Sequence, residues 1–159
     1  MDREFSCFFT GHRIIEKTKE PVIKEQVKKI IKNLVEDKGV TDFIAGGAYG
    51  FDTLCARAVI EMKEEYPYIR LHLYLPCYDQ MRKWPPRRQY EGRMIMSYAD
   101  SKIYTTEGKY ITGCMQLRNK KMADDAKYCI SYCKKQNSGT GVTLVYAREK
   151  NCIIENIVI

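Results

Sequence analysis

A glycine-rich turn after a short apolar run is the first feature whose residue types could do chemistry. The run is residues 42–45 (DFIA), and the turn comprises Gly46, Gly47, Ala48, Tyr49 and Gly50. Glycines between a strand and a helix let the backbone approach an oxyanion closely, and N–H groups of the first helical turn then point at it. The turn predicts a phosphate site, although a tight turn without a ligand also explains these glycines.

Asp52 follows this turn at the expected start of a helix. Its carboxylate could cap the helix, accept a hydrogen bond from a ribose hydroxyl, or do both. The spacing is not GxGxxG, and the turn lacks the lysine of a Walker A loop, which argues against dinucleotide oxidoreductases and P-loop NTPases. Neither histidine is near a serine or cysteine nucleophile in sequence, and no carboxylate pair stands out. We therefore favour a binding domain over an enzyme.

Two further polar clusters flank other expected strands and helices. One, comprising Thr10, Gly11, His12 and Arg13, follows the apolar residues 5–10. The other comprises Ser138, Gly139 and Thr140, whose hydroxyls could receive a phosphate or cap the helix that follows. Arg13 and Arg118 are candidate phosphate ligands because a guanidinium offers a fork of donors.

A basic segment at residues 80–93 mixes cations with aromatic residues. Trp84 and Tyr90 could stack on a base while neighbouring cations hold phosphates. Alternatively, the segment is a solvated helix start whose aromatic rings pack on the sheet. The cations in question are Arg82, Lys83, Arg87, Arg88 and Arg93.

The elements that must position these residues alternate between strands and helices. Apolar runs predict six strands, at residues 5–10, 42–45, 69–75, 101–105, 128–132 and 152–158. Amphipathic spacing and stop signals predict helices at residues 19–38, 51–65, 87–98, 116–127 and about 139–150. This alternation predicts a three-layer α/β/α fold with a mostly parallel sheet, in one domain covering residues 1–159.

Composition narrows the classes of protein to be considered. The 159 residues carry a net charge of +7, which favours an anionic partner such as a nucleotide or a nucleic acid. The seven cysteines show no CxxC or zinc-like spacing, so we predict no disulfide framework and no metal site. No apolar run approaches the length of a membrane span, and no signal peptide is visible. We expect a cytoplasmic location.

Taken together, the motifs resemble the SLOG superfamily, a Rossmann-like group that includes the DprA, LOG and YpsA branches, and most closely its YpsA/YoqJ type. The resemblance follows chain order along nearly the whole sequence. The matching residues are Thr10 to Arg13, Gly46 to Asp52, Pro76, Gln80, Trp84, Tyr90, Ala99, Asp100, Arg118, Asn119, Met122 and Ser138 to Thr140.

This resemblance implies a Rossmann-like fold whose pocket binds nucleotides or their derivatives, with molecules of the ADP-ribose type suggested for the wider group. The first-strand loop and the turns at 46–52 and 138–140 would line the pocket, Arg118 and Asn119 would enter from the side, and no cofactor would be required. It also implies assembly into a homo-oligomer. The function expected first is a cytosolic sensor of a nucleotide-derived ligand.

Two alternatives follow from the neighbouring branches. LOG enzymes release a base from nucleoside monophosphates and carry a PGGxGTxxE signature. Here residues 138–143 read SGTGVT, without the glutamate, so the chain departs from that pattern. If an N-glycosidase or ribosyl transfer is nevertheless catalysed, Asp52 or Glu107 would serve as the catalytic carboxylate. The DprA branch binds single-stranded DNA, and the basic segment is compatible with that activity.

Overall fold

The computed structural model describes all residues from Met1 to Ile159. A short 3-10 turn (Arg3–Phe5) leads into the first strand. The strands are β1 (Ser6–Gly11), β2 (Asp42–Ala45), β3 (Arg70–Leu75), β4 (Ser101–Tyr104), β5 (Tyr128–Tyr132) and β6 (Ile153–Asn156). The helices are α1 (Glu20–Lys38), α2 (Phe51–Met62), α3 (Pro86–Tyr98), α4 (Cys114–Asp125) and α5 (Gly139–Glu149).

The six strands form one sheet in the order β4-β3-β2-β1-β5-β6, and every neighbouring pair is parallel. The predicted α/β/α architecture is therefore confirmed, with a sheet that is parallel throughout. The largest differences from the predicted bounds are at helix ends, where α2 stops three residues earlier and α4 starts two residues earlier than the sequence pattern indicates. Such ends depend on tertiary contacts that periodicity does not report.

At its centre the sheet is buried on both faces by helices, and adjacent residues of β1 point into different layers. Phe9 joins the larger apolar core, of 26 residues, which α1 and α2 cover together with Ile95 of α3. Phe8 joins a smaller core of nine residues, which α4 and α5 cover. Side chains that alternate between faces along each strand thus explain the continuous apolar runs in the sequence.

The order of the strands creates a crevice beside β1. From β1 the chain builds outward through β2, β3 and β4, and it then crosses to the other side of β1 to add β5 and β6. In open parallel sheets this reversal leaves a crevice at the carboxyl ends of the two strands, where ligands bind. Here the crevice lies between the ends of β1 and β5. None of the helices is both long and apolar enough to cross a membrane.

Candidate functional site

The crevice contains a cavity of about 280 Å³, which we call the switch-point cavity. It is lined by the end of β1 and the loop after it, by the turn before α2, by α4, and by the start of α5. The lining residues are Thr10, Gly11, His12, Arg13, Ala48, Asp52, Met115, Gln116, Arg118, Asn119, Met122, Ser138, Gly139 and Thr140. Four segments that are distant in sequence therefore meet at one place, at residues 10–13, 48–52, 115–122 and 138–140.

The first turn of α5 presents unpaired donors to this cavity. Ser138 caps the helix, because its hydroxyl oxygen accepts a hydrogen bond from the Gly141 N–H at 3.1 Å. The N–H groups of Gly139 and Thr140 have no acceptor within the protein. Donors of this kind, together with the positive end of the helix dipole, favour an anion.

Two threonine hydroxyls add to these donors. Thr10, at the end of β1, and Thr140, in the first turn of α5, are 6% and 8% exposed, and both line the switch-point cavity. Neither hydroxyl hydrogen-bonds another group of the protein. Neither hydroxyl oxygen is itself fully buried, so both are open to the cavity and can hydrogen-bond polar atoms of a ligand.

Arg13 is the exposed cation at the mouth of the cavity. Its guanidinium carbon lies 5.4 Å from the centre of the Tyr49 ring, and its Nη2 lies 3.8 Å from the Met115 sulfur. No carboxylate pairs with it. The guanidinium therefore keeps most of its donors for an incoming anion.

Arg118, predicted as a phosphate ligand, has a different setting because it is only 4% exposed. Its Nη1 donates to the carbonyl oxygens of Gly46 and Tyr74, and its Nε donates to Asn119 Oδ1 at 2.8 Å. Nη2 has only a weak contact, 3.7 Å from the Met115 sulfur. Most of this guanidinium thus fastens α4 to the ends of β2 and β3, and only Nη2 remains for a ligand.

Asp52 lies beside this arginine and is 7% exposed. Its Oδ2 accepts a hydrogen bond from the Ala48 N–H at 3.4 Å, whereas the cap of α2 is Gly50, without a side-chain hydrogen bond. Of the two roles considered for Asp52, the structure therefore does not show helix capping. Burial raises the pKa of its carboxyl above the ordinary value, although the Arg118 guanidinium and the Ala48 N–H act in the opposite direction.

His12 is held in one tautomer by the loop after β5. Its Nε2 accepts a hydrogen bond from the Lys134 N–H at 2.8 Å, which leaves the proton on Nδ1. Partial burial, Lys135 and Lys134 lower the pKa of His12 below its ordinary value. His12 is therefore a neutral donor at neutral pH.

The glycines of the turn before α2 do not line the switch-point cavity, which corrects the expectation that Gly46, Gly47 and Gly50 face the phosphate. They permit close packing instead. A Cβ on Gly46 would lie 2.5 Å from Arg118 Nη1, and one on Gly47 would lie 2.4 Å from a Leu75 methyl carbon. Gly50 has a φ of 87° and lies against the backbone of Arg13. From this turn, Ala48 and Asp52 alone reach the cavity.

Trp84 lies outside the switch-point cavity as well. It is 8% exposed and meets the Tyr49 ring edge to face, with ring centres 5.2 Å apart. It lines a neighbouring space of about 580 Å³, the aromatic cavity, which shares Arg13 and Met115 with the first. The complete lining is Arg13, Tyr49, Asp79, Gln80, Arg82, Lys83, Trp84, Lys109, Tyr110 and Met115.

Other predicted residues lie away from both cavities. Tyr90 is 66% exposed on α3. Arg87 and Arg88 line a separate depression on the outer side of α2. Glu107 is exposed in the loop after β4 and lines neither cavity. As a catalytic carboxylate, Glu107 is therefore badly placed.

Met115 and Gln116 line the switch-point cavity but were not among the predicted site residues. The sequence pattern placed the start of α4 at about residue 116, whereas the helix begins at Cys114 and brings Met115 into its first turn. Methionine and glutamine carry no chemical signature in sequence. The glycine at position 113, which has a φ of 85°, was the available signal for an earlier start.

The opposite edge of the sheet carries a second polar cluster, which we call the strand-start cluster. His72 Nε2 lies 2.7 Å from Asp42 Oδ1, and His72 Nδ1 lies 2.6 Å from Ser101 Oγ. Thr41 donates to the other carboxylate oxygen of Asp42 at 2.9 Å. The cluster links the starts of β2, β3 and β4, and it lines neither cavity, so we assign it to sheet stability.

Comparisons with known proteins show which family this chain resembles. A UPF0398 protein of Brevibacillus brevis is 28% identical over 155 residues, which cover 94% of this chain and 74% of that protein. A UPF0398 protein of Bacillus pumilus is 34% identical over 100 residues, covering 57% of this chain and 52% of that protein. The alignments thus span between about half and three quarters of these relatives.

Structural similarity extends to DNA processing protein A (DprA) of Helicobacter pylori, with a TM-score of 0.69 and 14% identity over 99% of this chain and 66% of that one. At this identity the likeness shows a shared fold. The model of the YspA SLOG family matches residues 7–152 and confirms the resemblance found in the sequence. The chain belongs to the YspA SLOG family.

Proposed function

We propose that the protein is a binding domain for a nucleotide-type ligand, whose phosphate group lies in the switch-point cavity. One observation carries this proposal: the Gly139 and Thr140 N–H groups, both unpaired, face the same cavity as the unpaired Thr10 and Thr140 hydroxyls. Arg13 supplies the positive charge at the mouth. This combination of helix N-terminus, hydroxyls and guanidinium suits a phosphate better than a neutral ligand.

The family supports a nucleotide rather than a simple anion. Members of the SLOG group have Rossmann-like folds, in which ligands bind at the topological switch point. More specifically, we propose that the ligand is a nucleotide-derived molecule of the ADP-ribose type. Assembly into a homo-oligomer and a sensor role remain predictions made from the resemblance.

Isothermal titration calorimetry with adenosine 5′-monophosphate, ADP-ribose and inorganic phosphate tests the proposal. In the variant Arg13→Ala, we expect about 10- to 100-fold weaker binding, because a hydrogen bond to a charged group contributes about 1.5–3 kcal/mol. Arg93→Ala is the matched control, since Arg93 is also exposed but lines neither cavity. If no phosphate compound binds the folded protein at millimolar concentration, the proposal is wrong.

Single-stranded nucleic acid is the second candidate ligand, and a specific surface favours it. Cations line the two spaces that adjoin the switch-point cavity. One space is lined by Lys19, Lys134 and Lys135, and the other, the aromatic cavity, by Arg82, Lys83 and Lys109. The structural neighbour from Helicobacter pylori binds single-stranded DNA. This candidate predicts an affinity for oligonucleotides that falls steeply with salt. Binding that is independent of salt, or confined to mononucleotides, would exclude it.

A catalytic role would centre on Asp52, which is the buried carboxylate at the switch-point cavity. The pKa of Asp52 is raised by burial, which favours the protonated form that a general acid requires. Release of a base from nucleoside monophosphates that disappears in Asp52→Asn would support an N-glycosidase. Binding without such release would leave the protein a binding domain.

A further inference from the structure

The switch-point cavity alone is small for a complete nucleotide. Its volume of about 280 Å³ is just below the range for small-molecule sites, which is about 300–1,000 Å³. The aromatic cavity adds about 580 Å³, and the two spaces share Arg13 and Met115 as a common wall. A ligand that extends past Arg13 on the side of Met115 enters the aromatic cavity, and one that extends on the side of His12 enters the depression lined by Lys134 and Lys135.

The walls of the two cavities differ in chemistry. The switch-point cavity offers N–H groups and hydroxyls, whereas the aromatic cavity offers rings and flexible cations. Within the aromatic cavity, the Tyr49 ring is already in contact with Trp84 and lies 5.4 Å and 5.2 Å from the guanidinium carbons of Arg13 and Arg88. Tyr110 is the exposed ring, at 57% exposure. It is therefore the aromatic surface available to a planar ligand group.

The backbone of Tyr110 is anchored, and a carboxylate lies beside it. Its backbone N–H donates to Asp79 Oδ1 at 2.9 Å, which anchors the loop that carries the ring. An aromatic surface beside the Asp79 carboxylate matches a planar group that carries N–H donors.

We infer that the aromatic cavity holds the nucleobase of the ligand, against Tyr110, while the switch-point cavity holds its phosphate. This inference rests on the proposed function and adds the direction in which the ligand extends, toward α3 rather than toward Lys134 and Lys135. It also defines the ligand class as a nucleotide, in preference to a sugar phosphate. The base belongs either to a free nucleotide or to a 5′-phosphorylated oligonucleotide.

Calorimetry with four probes tests the inference: inorganic phosphate, ribose 5-phosphate, adenosine 5′-monophosphate and the dinucleotide pApA. Tyr110→Ala should weaken binding of the base-containing probes about 5- to 150-fold, because loss of base stacking costs about that much. Binding of ribose 5-phosphate should be unchanged. Tyr110→Phe should restore the affinity, and Tyr90→Ala, which removes a similarly exposed ring outside the cavity, should have no effect.

The outcomes separate the two proposals and the two sources of the base. A loss for both base-containing probes supports a free nucleotide, and a loss for pApA alone supports the second base of an oligonucleotide. If ribose 5-phosphate binds as tightly as adenosine 5′-monophosphate and Tyr110→Ala changes neither, the base site is wrong while the phosphate site stands. If none of the four probes binds, both proposals are wrong.

Discussion

At the edge of the sheet where the strands begin, the strand-start cluster pairs its polar atoms with one another. Asp42, His72 and Ser101 form a chain of hydrogen bonds across three strands. At the opposite edge, Thr10, Gly139 and Thr140 keep donors that no protein group accepts. Both edges are polar and partly buried. The difference is that one edge satisfies its polar groups internally and the other leaves them for a ligand.

This contrast separates stability from binding in a way that the residue types alone do not. A serine, a histidine and an aspartate within hydrogen-bond distance would suggest catalysis, yet the cluster lies outside both cavities. The threonines and glycines opposite look unremarkable in sequence, yet they line the switch-point cavity.

Gly141→Ala should destabilise the protein most, by about 3 kcal/mol or more. A Cβ there would lie 1.9 Å from the Gln136 carbonyl oxygen, which is backbone and cannot rotate away. Gly139→Ala is the matched control in the same helical turn, since the nearest atom lies 4.0 Å away. Urea unfolding should show a large loss for the first and a change within about 1 kcal/mol for the second. Equal losses would contradict the packing described here.

His72→Ala should lower the free energy of unfolding by about 1–3 kcal/mol, because Asp42 loses a hydrogen-bond partner in a largely buried place. Ligand affinity should change less than about twofold, which corresponds to about 0.4 kcal/mol. Urea unfolding and calorimetry with adenosine 5′-monophosphate measure the two quantities. A selective loss of affinity with unchanged stability would reverse the roles we assign to the two edges.

Thr140→Val should behave in the opposite way. The Thr140 hydroxyl has no partner in the protein, so replacing it with a methyl group should leave the stability unchanged or slightly raised. Adenosine 5′-monophosphate should bind about fivefold more weakly, since one hydrogen bond contributes about 1 kcal/mol. Thr18→Val, at an exposed position before α1, serves as a control. An unchanged affinity would show that this hydroxyl does not contact the phosphate.

The smallest effect concerns His12 and pH. Its pKa is lowered in the folded state, so the unfolded chain binds a proton more readily when the pH falls below about 6.5. Stability should therefore decrease as the pH falls from that value through the lower folded pKa. In His12→Gln, urea midpoints at pH 7.5 and 5.5 should differ less than in the original protein. If the difference between the two urea midpoints is the same in the variant as in the original protein, His12 does not contribute to the pH dependence of stability.

Much of this arrangement could be predicted from the sequence because it depends on local patterns. Short apolar runs alternating with amphipathic segments predicted the six strands and five helices, and a parallel sheet brings the carboxyl ends of its strands to one edge. Together with the family resemblance, that reasoning placed Thr10, Asp52 and Ser138 near one another. The contacts of the glycines could not be predicted from local patterns. Gly46 and Gly47 pack closely against Arg118 and Leu75, which are distant in sequence.

The strand-start cluster could not be predicted for the same reason. Asp42, His72 and Ser101 come from three strands, and their alignment depends on the register in which β2, β3 and β4 pair. Arg118 was likewise expected to be a phosphate ligand, since nothing in its local sequence shows that it is buried. The sequence predicted which segments are strands and helices. It did not predict the register between distant strands or the burial of single side chains.

The bonds that Arg118 makes also bear on how fast a ligand can bind. By holding the Gly46 and Tyr74 carbonyls, this side chain ties α4 to the ends of two strands. The helix that supplies Met115 and Asn119 is therefore already in position before a ligand arrives. A preorganised site loses little conformational entropy on binding. We accordingly expect single-phase association kinetics and slow amide exchange in α4 even without ligand.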